Sequence, residues 1–154
     1  MRFASMRNLD ISNGEGVGVS LFVQGCDRHC FNCFNPDTWD FNGGKEWTEE
    51  TKNKFIKLID RPYINRISVL GGEPLAEQNL DEVLSLIKEI RISFPEKTIW
   101  LYTGYKFEDL INGIHYPLDS EWEDKVLRQS IVKQCDVLID GEYIDERRDI
   151  TLKW

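Results

Sequence analysis

Residues 17–35 read "VGVSLFVQGCDRHCFNCFN". The run up to Gly25 is short, β-branched and aromatic, and three of the chain's four cysteines follow it at Cys26, Cys30 and Cys33. A strand that stops at a glycine and hands over to a cysteine loop sets that loop at the strand's carboxyl end. The fourth cysteine, Cys135, stands apart, about a hundred residues further along.

Outward from this stretch the chain alternates strand and helix patterns. After "FNGG", Thr48 with Glu49 and Glu50 opens a helix whose Phe55, Ile56 and Ile59 share one face, with Trp47 placed as a staple before it. "NRISVLGGEP" (65–74) reads as a second buried strand running into a glycine turn. Leu80, Val83, Leu84, Ile87 and Ile90 then fall at helical spacing until Pro95 ends the run. "KTIWLYTGY" (97–105) is a third strand, "FEDLI" a short helix, "SEWEDKVLRQSIVKQ" a longer one, and "DVLIDG" (136–141) a fourth strand. Residues 106–120 are the expected variable loop.

Strands separated by helices imply parallel pairing with right-handed crossovers, hence a layered α/β fold or a partly closed barrel. In such sheets ligands bind beyond the carboxyl ends of the strands. Here those ends carry Cys26, the Gly71-Gly72-Glu73 turn, Gly104 and Gly141.

The 154 residues suffice for one domain with a substantial core, and no internal repeat, low-complexity tract or linker divides them. A hydrophobic fraction of 41% with 30% charged residues is that of a folded globular chain. The net charge of -8 disfavours a nucleic-acid backbone as partner, because such binders present a basic face. No apolar run reaches the roughly 20 residues needed to span a bilayer, and the start lacks a signal-peptide core. A cytoplasmic setting follows, in which clustered thiols hold a metal or do redox chemistry more often than they form disulfides.

Thiolates select zinc, copper(I) or iron-sulfur clusters. A structural zinc asks for four protein ligands, and the local loop offers three unless His29 or Cys135 joins. Cys135, at the start of the last strand, also reads as a small buried hydrophobe. A cubane cluster on three cysteines leaves one iron open to a ligand. The glycines of "GGEP" (71–74) let a backbone approach a ligand closely, and Glu73 can accept a charge-assisted hydrogen bond from an ammonium group. Taken alone, the same four residues also make a plain strand-to-helix turn.

Cys26-x3-Cys30-x2-Cys33 resembles the signature of the radical S-adenosylmethionine (SAM) enzymes, and "GGEP" one crossover later resembles their GGE motif. The resemblance narrows to the activating proteins of anaerobic ribonucleoside-triphosphate reductase. It is carried by "NGEG", "LFVQGC", Asn35, Thr38 and Trp39, then by "VLGGEPL", "LYTGY" and "DVLIDGEYI" in order. It implies a minimal, incomplete (β/α) barrel of the radical SAM type over residues 1–154. It also implies a 4Fe-4S cluster held by Cys26, Cys30 and Cys33, whose open iron is chelated by the amino and carboxylate groups of SAM. Cofactor contacts would fall to Asn32, Cys33, Phe34, Gly71, Gly72 and Glu73.

The implied activity is reductive cleavage of SAM and formation of a glycyl radical on the reductase catalytic subunit, with a reduced flavodoxin-like protein as electron donor. No acid-base pair is required, and His29 and His115 lie far apart. His29 is expected to be a solvated loop residue. Phe31, Phe34, Trp39 and Phe41 around the loop are either core or an apolar rim for the partner's glycine loop. Two alternatives stay open: a radical SAM enzyme for another glycyl radical enzyme or a small molecule such as a deazapurine precursor, and a non-catalytic zinc or iron-sulfur module.

Overall fold

The computed structural model describes residues 1–112, 122–149 and 151. His115 lies outside them. The four expected strands are β2 (Gly18–Gln24), β4 (Arg66–Gly71), β5 (Thr98–Tyr102) and β6 (Val137–Ile139), adjacent and parallel in chain order. The third stops at Tyr102, so Thr103-Gly104-Tyr105 is a turn rather than a strand end.

Two further strands change the sheet from the all-parallel expectation to a mixed one. β1 (Arg2–Asp10) runs antiparallel to β2, and the two-residue β3 (Lys45–Glu46) pairs antiparallel with β1. The six-stranded order is β3-β1-β2-β4-β5-β6, and every strand except β1 runs the same way. The sheet ends at β3 on one side and β6 on the other. The result is a mixed α/β fold with a mostly parallel sheet.

Between β3 and β4 lies α1 (Glu49–Ile59), capped as expected: the Thr51 N–H donates to Thr48 Oγ1 at 3.2 Å, and Glu49 and Glu50 face the positive end of the helix dipole. Trp47 does not staple onto the fourth helical residue, which is Lys52. It packs edge-on against Phe55 and against Phe3 of β1. Helix α2 (Leu80–Ser93) buries Leu80, Val83, Leu84, Leu86, Ile87 and Ile90 and ends one residue before the Phe94-Pro95 pair. The short α3 (Phe107–Ile111) and α4 (Trp122–Val132) complete the described helices. No helix of the described residues is long and apolar enough to cross a membrane.

The period of two divides the central strands between two environments. Val19, Leu21, Val23, Ile67, Val69, Ile99 and Leu101 are fully buried in one cluster with the apolar faces of α1 and α2. The alternate positions, Ser20, Arg66 and Ser68, face the chain that leaves β1. Asp10 accepts from Ser20 Oγ at 2.7 Å and from Arg66 Nη2 at 3.3 Å, while Ser68 Oγ donates to the Asn13 carbonyl at 2.6 Å. Arg66 fills the space beneath Gly14, where a Cβ would stand 2.7 Å from its side chain at a φ of +125°. Gly14 of "NGEG" thus accommodates a buried guanidinium.

Candidate functional site

Beyond the carboxyl ends of the parallel strands lies a cavity of about 290 Å³. Its floor is one row of side chains across four strands: Phe22 opposite Leu70, and Tyr102 opposite Ile139. Cys26, Cys30 and Cys33 line its wall, together with Gly71, Gly72 and Glu73. Two motifs a crossover apart in sequence therefore share one cavity.

The cysteine loop is fixed at both ends. Gly25 N–H donates to the Thr38 carbonyl at 2.8 Å and Cys26 N–H to the Trp39 carbonyl at 3.1 Å. Between the cysteines the chain turns through left-handed conformations at His29 (φ 47°) and Asn32 (φ 52°), an arrangement that asparagine tolerates well. Each sulfur meets backbone N–H groups. Those of Arg28 and His29 are directed at Cys26, that of Tyr143 at Cys30, and that of Asn35 at Cys33 Sγ at 3.4 Å. Burial pushes the Cys26 and Cys30 thiols above their usual range, and these N–H groups pull them partly back.

This donor set suits an iron-sulfur cluster, whose sulfur ligands commonly accept such hydrogen bonds. No three of the described Cys, His, Asp or Glu side chains converge closely enough to hold a single metal ion. Neither candidate for a fourth protein ligand lines the cavity. His29 is exposed, its ring 4.7 Å from that of Trp39, as expected of a solvated loop histidine. Cys135 donates to the Ile131 carbonyl at 3.3 Å, and burial pushes its thiol up to about 12.

The turn at 71–74 is built against the cysteine loop. Gly71 has a φ of +113°, and a Cβ there would lie 2.7 Å from the Val23 backbone. At Gly72 a Cβ would stand 2.3 Å from the Gly25 carbonyl oxygen. That oxygen accepts the Glu73 N–H at 2.8 Å, and the Gly72 N–H reaches the Val23 carbonyl at 2.9 Å. The Asn79 side chain donates to the carbonyls of Gln24 and Glu73 at 3.1 and 2.9 Å. Both glycines are needed for protein backbone to meet protein backbone, a tighter constraint than ligand approach alone.

Glu73 is 1% exposed. Its Oε1 accepts from Leu75 N–H and Thr103 Oγ1, both at 2.8 Å, and its Oε2 from Gly104 N–H at 2.7 Å. Burial pushes the carboxyl up against the pull of these three donors. A carboxylate has about four lone-pair sites, so among the described residues one is left without a donor.

Phe34 also lines the cavity, is 76% exposed and packs edge-on to Tyr143. Asn32 is the one expected contact that does not reach the cavity lining: its amide donates to Asp145 at 3.0 Å. The aromatic group divides. Phe31 and Phe34 are exposed, whereas Trp39 and Phe41 are half-buried, with the Phe41 ring pressed on Gly25. Gly104 and Gly141, expected at the strand ends, line the cavity, whereas sequence reasoning missed Arg28, Thr103 and Tyr143 there. A polar residue beside a strand-end glycine in "LYTGY" was the available signal for Thr103.

A family model described as a 4Fe-4S single cluster domain matches residues 12–154. A protein of Salmonella typhimurium is 34% identical over 156 residues, covering all of this chain and 92% of the relative, and one of Escherichia coli is 33% identical over the same shares. A third, from Enterobacteria phage T4, is 35% identical over 143 residues, or 93% of this chain and 81% of the relative. All three are named anaerobic ribonucleoside-triphosphate reductase-activating protein. With a cysteine-lined cavity at the strand ends and matches along its whole length, the chain belongs to the family of anaerobic ribonucleoside-triphosphate reductase-activating proteins.

Proposed function

We propose that this chain is a single radical SAM domain, an incomplete barrel, that activates an anaerobic ribonucleoside-triphosphate reductase by installing a glycyl radical on its catalytic subunit. The observation that carries the reading is the meeting of three N–H-bonded cysteines and the Gly71-Gly72-Glu73 turn at one cavity. Cys26, Cys30 and Cys33 would hold a 4Fe-4S cluster, and the adjoining cavity would take SAM. When bound, the cluster and SAM would supply the chemistry, one-electron reductive cleavage of the sulfonium and removal of a hydrogen atom from a glycine Cα of the reductase.

The protein's part is binding, orientation and exclusion of water. The apolar floor of Phe22, Leu70, Tyr102 and Ile139 suits a nucleoside, and the remaining lone-pair site of Glu73 suits an ammonium group. Phe31 and Phe34, 82% and 76% exposed beside the cysteines, form a rim fitted to an entering protein loop. A reduced flavodoxin-like protein would supply the electron.

The test is anaerobic reconstitution with iron and sulfide, then an assay for 5′-deoxyadenosine under strong reductant. Adding the reductase should give a glycyl signal by electron paramagnetic resonance. Colourless protein retaining only zinc would refute the cluster. SAM cleavage without a glycyl signal on a competent reductase would point to another target.

A further inference from the structure

Apart from the thiols, the cavity wall carries two charged side chains, Glu73 and Arg28, held in opposite ways. The Glu73 carboxylate already accepts three hydrogen bonds. Arg28 presents five N–H donors, and within the described residues its one hydrogen bond runs from Nη2 to the Gly104 carbonyl at 3.0 Å.

The guanidinium is nonetheless fixed in place. It lies 4.5 Å from the centroid of the Tyr105 ring, over which Arg128 also stands at 4.9 Å. Arg128 is itself tied to the Leu75 carbonyl at 3.0 Å and paired with Asp124. The Tyr105 backbone is anchored on both sides: its N–H donates to Thr103 Oγ1 at 3.1 Å and its carbonyl accepts from Gly141 at 2.8 Å. A cation with spare donors is thus preorganised on the wall of a cavity with an apolar floor.

An amino-acid end brings an ammonium and a carboxylate together. If one carboxylate oxygen goes to iron, the second needs a donor, because a buried carboxylate oxygen left unpaired is costly. We propose that Arg28 receives this second carboxylate oxygen of SAM. Tyr105 acts through Arg28 and is a positioning residue. The inference rests on the SAM-binding reading under Proposed function.

The test is a thermodynamic cycle on the cluster-loaded protein. Binding of SAM and of decarboxylated SAM is measured anaerobically by equilibrium dialysis for the wild type, Arg28→Lys, Arg28→Gln and Tyr105→Leu, with cluster content read from iron and absorbance. Arg28→Gln should weaken SAM roughly ten- to hundredfold, the range of a charge-assisted hydrogen bond, and leave the decarboxylated ligand near its wild-type affinity. Arg28→Lys should recover part of the loss, and Tyr105→Leu should show a smaller loss of the same kind. Equal weakening of both ligands, or unchanged SAM affinity at full iron content, overturns the proposal. Loss of the cluster from both Arg28 variants also overturns it, because the residue would then be a brace for the loop. Wild-type protein that takes up the cluster and binds neither ligand overturns the SAM reading itself, and this inference with it.

Discussion

Replacing Glu73 by Gln preserves the shape of the side chain and turns one oxygen into an NH2 group. In the native turn Oε1 serves two donors and Oε2 one, at distances of 2.7 to 2.8 Å. The amide can satisfy the two-donor side only by aiming its NH2 at the Gly104 N–H, donor against donor. A hydrogen bond to a charged group contributes about 1.5–3 kcal/mol. Part of that loss is offset, because burial already disfavours the charge. A net destabilisation of about 1–2 kcal/mol follows, or roughly 2–8 °C in Tm for a chain of this size. Glu73→Ala, which strands three buried donors, should cost more than Glu73→Gln. Both are measured by thermal unfolding of the reduced, metal-free chain, so that no ligand contributes. An unchanged Tm in Glu73→Gln would refute the idea that the carboxylate buckles the turn to the end of β5. The charge would then have to serve a ligand alone.

Asp10 should govern acid stability. Burial raises its carboxyl, but hydrogen bonds from Ser20, Asn13 and Ser12 outweigh this and hold it at about 2, against an ordinary 3.8. Because the value is lowered on folding, the stabilisation of about 2 kcal/mol is complete above pH 4 and lost as pH falls through 2. Asp10→Asn should flatten that part of a pH-unfolding series and, by leaving Arg66 buried without its partner, cost about 3–5 kcal/mol at neutral pH. Gly72→Ala, with its Cβ 2.3 Å from the Gly25 oxygen, should lower the unfolding free energy read from denaturant titration by roughly 1–3 kcal/mol and reduce iron uptake. Ala at Cys26, Cys30 or Cys33 should abolish iron binding, while Cys135→Ala leaves the iron content unchanged. An essential Cys135 would overturn the three-ligand site.

The parallel half of the sheet was legible because Val19, Leu21, Ile67, Val69, Ile99 and Leu101 are β-branched or aliphatic, recur at every second position and join one core cluster. β1 was not, because its burial pattern exposes Ser5, Arg7 and Asn8 and hides an aspartate, Asp10, whose interior place depends on Arg66 from another strand. The three cysteines announced themselves by spacing. Arg28 did not, since a charged residue in a loop is ordinarily solvated, and only the fold brings Tyr105 and Gly104 beneath it. Glu73 was found by its motif, but its three donors come partly from residues thirty positions away that no local pattern joins to it.

The stitch among Gly25, Gly72, Glu73 and Asn79 bears on how this chain can be altered. The spacing of the cysteine loop and the GGE turn is set by the β2–β4 register and by backbone contacts at the strand ends, not by the length of chain that joins them. Within that connecting chain Lys45 and Glu46 of edge strand β3 are exposed, and their backbone pairs with β1 on the far side from β4, so their side chains can be exchanged without moving either motif. A label at Lys45 is therefore a point of attachment for a reporter or a tether to a partner protein.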